Sequence, residues 1–249
     1  SVMPLMNSMG SLKIQRPNQT LPVGTQNWLS VVDLKMTPSD TESIVNYTPY
    51  NNDVYMYGDD NSGTSFRPFY CRLAETDGSL QDYKVFQQVA SGVGSIIAVT
   101  GLAIDSNNNL NCTFYGQPVI AQYNTSSSFI QGINFANGAF SSIYNYCTYS
   151  NGYIYVLSVG TNCYLTKINS SSYTVAGCVR FFGGANQGCI HNDGSGNIYV
   201  MLSDGVYNSY IKFNSSLVVQ YSTRFSSTFN SANATVIDNL GNTYSMVNG

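Results

Sequence analysis

Short runs rich in Ile, Val and Tyr alternate along the chain with clusters of Asn, Asp, Ser and Gly. Ser150-Asn-Gly precedes Tyr153-Ile-Tyr-Val156, and Gly194-Ser-Gly-Asn197 precedes Ile198-Tyr-Val200. Aromatic and β-branched runs bounded by turn residues are typical of β-hairpins. No segment shows a helical period with capping residues. The pattern therefore predicts an all-β chain of short strands joined by tight turns.

The hairpins recur at a nearly constant interval. Leu110, Ile154 and Ile198 occupy the same place after a turn cluster and are spaced by 44 residues, and Thr243 follows 45 residues later. Val54 lies 56 residues before Leu110, so the first copy carries an insertion. A fixed period of this length is the signature of a repeat architecture.

A second marker lies inside each copy. Asn124, Asn169 and Asn214 are spaced by 45 residues and begin Asn-Thr-Ser or Asn-Ser-Ser clusters, which are good turn chemistry. The return strands end at Phe135, Phe181 and Phe225. Each copy therefore contains two hairpins in series, and four short strands are the composition of a β-propeller blade.

The count of copies predicts five blades. Four lie within the chain, and residues 232–249 supply only the inner two strands of a fifth. Leu12-Lys-Ile14 is similar to Ile211-Lys-Phe213, so residues 11–32 are predicted to supply the missing outer strands. Such closure would remove exposed sheet edges. The predicted internal blades span residues 41–86, 97–135, 142–181 and 188–225.

The repeat resembles a known family. Asp193 to Val200 and Tyr210 to Ser216 resemble the bacterial and phage β-propeller repeats written D-x-x-G-N-x-Y-V. The Met/Pro/Leu opening and Trp28-Leu-Ser30 are similar to structural proteins of tailed phages of marine bacteria. This resemblance implies a propeller and a place in the virion. It carries over no catalytic or ligand-binding residue.

Composition narrows the classes of function. Charged residues make up only 9% of the chain, the net charge is −3, and the ten Lys and Arg are scattered. Nucleic-acid binding needs a basic stripe, so we expect no nucleic-acid partner. No apolar run approaches the roughly 18 residues of a membrane span, so no membrane insertion is expected. The 43% apolar content, with 20 Tyr, is ample for a packed core.

Candidate chemistry is sparse. Strand alternation would place Cys189, His191 and Asp193 on one face, but His191 is the only histidine and zinc needs three or four ligands. The favoured interpretation is a polar residue near the channel, with Asp193 in a turn. Propeller glycosidases need paired carboxylates. Asp40 and Glu42 are the only acidic residues that lie near a predicted inner strand and are not turn residues.

Other motifs also favour structural roles. Gly58-Asp-Asp-Asn-Ser-Gly63 is interpreted as a turn rather than a calcium loop. The sequence thus predicts no catalytic, cofactor-binding or metal-binding residue, no cofactor and no enzymatic activity.

Cysteines and sequons leave two alternatives open. Cys163 and Cys178 flank a hairpin turn symmetrically and are candidates for a cross-strand pair, although free buried thiols are the default. The remaining cysteines share no spacing. Asn-x-Ser/Thr sequons are either glycan acceptors of a secreted protein or simple turn chemistry, and they occur at Asn18, Asn46, Asn111, Asn124, Asn169, Asn214 and Asn233.

The functional hypothesis is a non-enzymatic bacteriophage virion component in a tail, fibre or head-decoration position. Residues 1–10, which include the Met-rich segment Val2 to Met9, are predicted to dock on other virion proteins because Met adapts to irregular surfaces. A host glycan is a candidate ligand, since Tyr-rich surfaces bind sugars well. The alternatives are an extracellular, secreted carbohydrate-binding lectin or adhesin, and a propeller glycoside hydrolase.

Overall fold

The structure, a computed structural model, describes residues 13–15, 29–31, 41–61, 66–86, 98–135, 144–226, 235–237 and 242–245. All of its regular elements in these ranges are β-strands. The two N-terminal ones are β1 (Lys13–Gln15) and β2 (Leu29–Val31), which pair with each other in an antiparallel hairpin.

Four four-stranded antiparallel sheets follow, each with its strands in sequence order. The first blade contains β3 (Thr41–Tyr50), β4 (Asp53–Asn61), β5 (Phe66–Ala74) and β6 (Leu80–Val85). The second contains β7 (Val99–Ile104), β8 (Leu110–Phe114), β9 (Val119–Tyr123) and β10 (Phe129–Asn134). The third contains β11 (Tyr144–Ser150), β12 (Tyr153–Val159), β13 (Asn162–Asn169) and β14 (Thr174–Gly183). The fourth contains β15 (Gln187–Asn192), β16 (Ile198–Ser203), β17 (Tyr207–Phe213) and β18 (Val219–Ser226).

The predicted fifth blade is present only as separate parts. β19 (Thr235–Ile237) and β20 (Thr243–Ser245) form a second antiparallel hairpin. This hairpin and β1–β2 are two separate two-stranded sheets within the described ranges. The structure therefore confirms four-stranded propeller blades and describes four of them rather than five.

The chain divides into two compact units. One comprises Ser1–Gln87 with Ile97–Val99, and it contains the first blade. The other comprises Gln88–Ile96 with Thr100–Gly249. It contains the third and fourth blades, and the second blade from Thr100 onward.

The turns form where the Asn, Asp and Gly clusters predict them. Asn151 and Gly152 have φ of 50° and 81°, which is the geometry of a tight two-residue hairpin between β11 and β12. Asn124, Asn169 and Asn214 cap the hairpins between the third and fourth strands of their blades. The side chain of each accepts two backbone N–H groups, at 2.9–3.0 Å. These asparagines are therefore turn residues, as predicted.

Within the second unit, apolar clusters fill the seams between successive blades. Between the second and third blades, Ile120 and Phe135 pack with Ile154, Val156 and Ile168. Between the third and fourth blades, the cluster is larger and includes Leu157, Leu165, Ile190, Val200 and Phe213. Inner and central strands are almost wholly buried, whereas β10 and β14 are largely exposed. Each Å² of apolar surface that these clusters remove from water contributes about 25 cal/mol to the stability of the fold.

Gly101 marks a close approach of backbone between two blades. A Cβ atom there would lie 2.5 Å from Thr113 Oγ1 and 2.6 Å from the backbone nitrogen of Cys147, on β11 of the next blade. Backbone cannot move aside as a flexible side chain can, so only glycine lets β7 and β11 pack this closely.

We expect Gly101→Ala to lower the free energy of unfolding by about 1–3 kcal/mol, because the added methyl group overpacks the seam. Gly183→Ala is the matched control, since no atom lies within 4 Å of its Cβ position. That variant should stay within about 0.5 kcal/mol of the unchanged protein. Urea unfolding followed by circular dichroism measures both, and equal effects would contradict the close-packed seam.

Candidate functional site

The residues of the histidine site considered from the sequence lie on and just after β15. Cys189 is buried and lies opposite Met201, whereas His191 is partly buried and lies opposite Tyr199. Asp193 comes after the end of β15, in the turn. Across the part of the chain that the structure describes, no three His, Cys, Asp or Glu side chains are grouped as metal ligands.

The acidic residues considered from the sequence include one segment, residues 58–61, whose structure differs from the predicted turn. Asp40 lies outside the described residues, and Glu42 lies on β3 with its backbone opposite Asp60. Residues 58–61 continue β4 and do not form the predicted turn. Asp60 is fully buried, and its Oδ2 lies 2.6 Å from Arg67 Nη2. This ion pair gives the buried carboxylate a partner of opposite charge.

The proposed pairing of Cys163 with Cys178 is wrong. Cys163 lies opposite Phe182, and Cys178 lies opposite Thr166. The turn after Asn169 is longer than the symmetric turn assumed from the sequence, and two register shifts follow it, so the two thiols are offset. All six cysteines are free. Burial raises the pKa of Cys71 to about 11 and that of Cys147 to about 12, which keeps both thiols protonated and unreactive.

Asp105 closes the inner hairpin of the second blade with a buried carboxylate. Its Oδ1 accepts the backbone N–H groups of Asn107 and Asn109, at 2.9 and 3.0 Å. Its Oδ2 accepts the side-chain amides of Gln122 and Asn111, at 2.9 and 3.3 Å. Because Asp105 is only 1% exposed, these donors replace the water that an ionised carboxylate would otherwise require.

Asp193 has the same role in the fourth blade. It accepts the N–H groups of Ser195 and Asn197, the Asn197 amide at 2.6 Å and the Tyr199 hydroxyl at 3.1 Å. Burial alone would raise the pKa of Asp193, but these hydrogen bonds outweigh it and lower the pKa below the ordinary value of 3.8. The aspartate of the repeat motif is therefore a hairpin clamp.

A repeated cross-strand pair was missed from the sequence. In three of the blades, a tyrosine on the second strand lies opposite a basic residue on the third strand. These pairs are Tyr55–Arg72 in the first blade, Tyr155–Lys167 in the third blade and Tyr199–Lys212 in the fourth blade. Lys167 Nζ lies 3.9 Å from the ring centre of Tyr153 and donates to the carbonyl of Ser215 in the next blade, at 2.7 Å. The spacing of 45 residues between Lys167 and Lys212 is the sequence signal that could have revealed this repeated pair.

The best candidate for a binding surface is formed by three tyrosines in the second unit, which we call the tyrosine platform: Tyr115, Tyr144 and Tyr146. The rings of Tyr115 and Tyr144 have centres 4.9 Å apart, and those of Tyr144 and Tyr146 are nearly parallel at 6.5 Å. Tyr115 and Tyr144 are partly exposed, whereas Tyr146 is buried. Burial raises the pKa of Tyr144, and its hydrogen bond with Tyr115 adds to this effect, so Tyr144 is neutral at pH 7.

Asn145 positions the platform. Its side chain is fully buried and donates to the carbonyls of Phe114 and Gln117, which flank Tyr115 in the loop between β8 and β9. The carbonyl of Asn145 accepts hydrogen bonds from the hydroxyls of Thr100 and Thr113. Asn145 lies between Tyr144 and Tyr146 in the sequence, so one residue fixes both β11 and the loop that carries Tyr115.

Several solved structures are similar to this chain. A protein of unknown function from Bacteroides caccae matches with a TM-score of 0.50 and 12% identity over 70% of this chain and 60% of its own. BamB from Moraxella catarrhalis matches with a TM-score of 0.49 and 12% identity, over 82% and 60%. The Pan2 WD40 domain of Neurospora crassa matches with a TM-score of 0.49 and 8% identity, over 74% and 52%.

These likenesses concern the propeller fold alone, because the identities are low. The chain spans about 60% of the length of the first two structures. No family model and no curated protein matches the sequence. The described residues also include no helix with the length and apolar character needed to cross a membrane.

We expect the clamp at Asp193 to make a pH-dependent contribution to stability. Because its pKa is lower in the folded state, the ionised carboxylate stabilises the fold above its ordinary pKa, and this contribution is lost as the pH falls through the lowered value. Asp193→Asn keeps an acceptor oxygen but removes the charge. The variant should be less stable than the unchanged protein at neutral pH, and the difference should disappear in acid. A difference that persists at low pH in urea unfolding would contradict the clamp.

Proposed function

We propose that this protein is a non-enzymatic structural component of a bacteriophage virion, in a tail, fibre or head-decoration position. Its role would be to join other virion proteins and to contact the host surface. The observation that supports this proposal is the contrast between hydrogen-bonded carboxylates and exposed apolar side chains. The carboxylates of Asp105 and Asp193 clamp turns, while large apolar side chains are exposed on outer strands.

The exposed apolar residues recur at similar places in three blades. They lie at or near the start of the fourth strand of the second, third and fourth blades, and they are Phe129, Ile130, Val175, Val218, Val219 and Tyr221. Their exposed fractions run from 45% to 55%. Apolar side chains exposed in this way favour protein–protein contact. Neighbouring virion proteins are the partners that we propose for them.

The N-terminal docking segment, residues 1–10, lies outside the described residues, and its role rests on the sequence. The proposal includes no nucleic-acid partner, since the charge of −3 and the scattered basic residues offer no basic stripe. It also includes no membrane insertion.

Mass spectrometry of gradient-purified virions tests the proposal. The protein should be found in the particles at a fixed stoichiometry to the other structural proteins. Deletion of residues 1–9 should reduce its incorporation severalfold and leave its circular dichroism spectrum unchanged. If the protein occurred only as a free secreted monomer, the virion assignment would be wrong. If the deletion left incorporation unchanged, docking by this segment would be wrong.

We also propose that β20 and β1 pair, so that residues 11–32 and 232–249 form a fifth blade. The support is the similarity of Leu12-Lys-Ile14 to Ile211-Lys-Phe213, and the two separate hairpins that would be the halves of such a blade. A joined blade would give the edge of β20 a hydrogen-bonding partner.

Ile14→Pro tests this pairing, because proline removes a backbone donor from β1 and disturbs the sheet. If the blade is joined, amide hydrogen exchange in a peptide covering residues 235–245 should increase. Val2→Pro is the control and should leave that peptide unchanged. Unchanged exchange of residues 235–245 in Ile14→Pro would contradict the fifth blade.

A further inference from the structure

We infer that the tyrosine platform is a binding site for neutral carbohydrate, which stacks on the partly exposed rings of Tyr115 and Tyr144. This inference rests on the proposed function, since it gives the host-surface contact a location and a ligand class. The outer-strand residues described above are apolar and suit protein partners, whereas the platform combines aromatic rings with hydroxyl and amide groups.

The first argument is rigidity. The side chain of Asn145 holds the carbonyls on both sides of Tyr115, at 3.4 and 3.1 Å, and Thr113 holds the carbonyl of Asn145 at 2.8 Å. The backbone of Gly188 hydrogen-bonds the Tyr146 hydroxyl from the neighbouring blade. A platform fixed in this way loses little conformational entropy when it binds a ligand.

The second argument is charge. The residues that build the platform and its support carry no ionised group at pH 7; they are Tyr115, Gln117, Tyr144, Asn145 and Tyr146. Sialic or uronic acids would find no positive partner among them. Rings flanked by amides and hydroxyls instead match the apolar faces and hydroxyl edges of neutral pyranoses.

Binding of oligosaccharides to the full-length protein tests the inference. The probes are hexasaccharides of glucose, mannose and N-acetylglucosamine, measured by saturation-transfer NMR and isothermal titration calorimetry. At least one should bind, with transfer from tyrosine ring protons. Tyr115→Ala and Tyr144→Ala should each weaken binding about three- to tenfold, which is the usual worth of an aromatic stacking contact. Tyr115→Phe keeps the ring and should change affinity by less than about twofold.

Tyr221→Ala is the matched control, because it removes a tyrosine that is 54% exposed on β18, away from the platform. It should leave binding unchanged, and thermal unfolding of all four variants checks that they fold. The inference is overturned if no probe binds at millimolar concentration, if Tyr221→Ala weakens binding as much as Tyr115→Ala, or if only a protein binds the platform. Virion mass spectrometry is independent of these results, so a non-binding protein found in virions would refute the sugar site alone.

Discussion

Hydrogen bonds from side chains of one blade to groups of an adjacent blade link the second, third and fourth blades. Asn145 donates to carbonyls of the second blade, and Asn192 donates to Thr148 and to the carbonyl of Tyr149 in the third. Lys167 donates to a carbonyl of the fourth. A buried amide left without a partner costs about 1–3 kcal/mol, so the contacts of the buried Asn145 favour this packing of the second and third blades.

A related constraint applies to the aspartates of the inner hairpin turns. The carboxylates of Asp105 and Asp193 are surrounded by donors, which are backbone N–H groups and nearby amides. The low content of charged residues and the high content of Asn, Ser and Tyr agree with a scaffold in which neutral groups make most of the polar contacts.

The Asn145 contacts connect this scaffold to the tyrosine platform. Because one buried amide serves both the seam and the loop that carries Tyr115, the position of the rings depends on the packing of two blades. The platform therefore belongs to the assembled unit and not to a single hairpin. Among the 20 tyrosines of the chain, no local pattern marks these three, since Tyr115 and Tyr144 are 29 residues apart and outside both repeat markers.

The sequence by itself determined the all-β class, the four-stranded repeat and the hairpin turns, because these depend on local properties: Asn in a turn, Gly at positive φ, and β-rich runs at a fixed period. Tertiary structure decided what depends on neighbours. Residues 58–61 are strand because they pair with β3 on one side and β5 on the other, where Arg67 neutralises the buried Asp60. Cys163 and Cys178 do not lie opposite each other because strand bulges shift the pairing of β13 and β14 by single residues. Gly101 allows close packing and Asn145 donates hydrogen bonds at a seam between strands that are distant in the sequence. No local sequence pattern encodes such a contact.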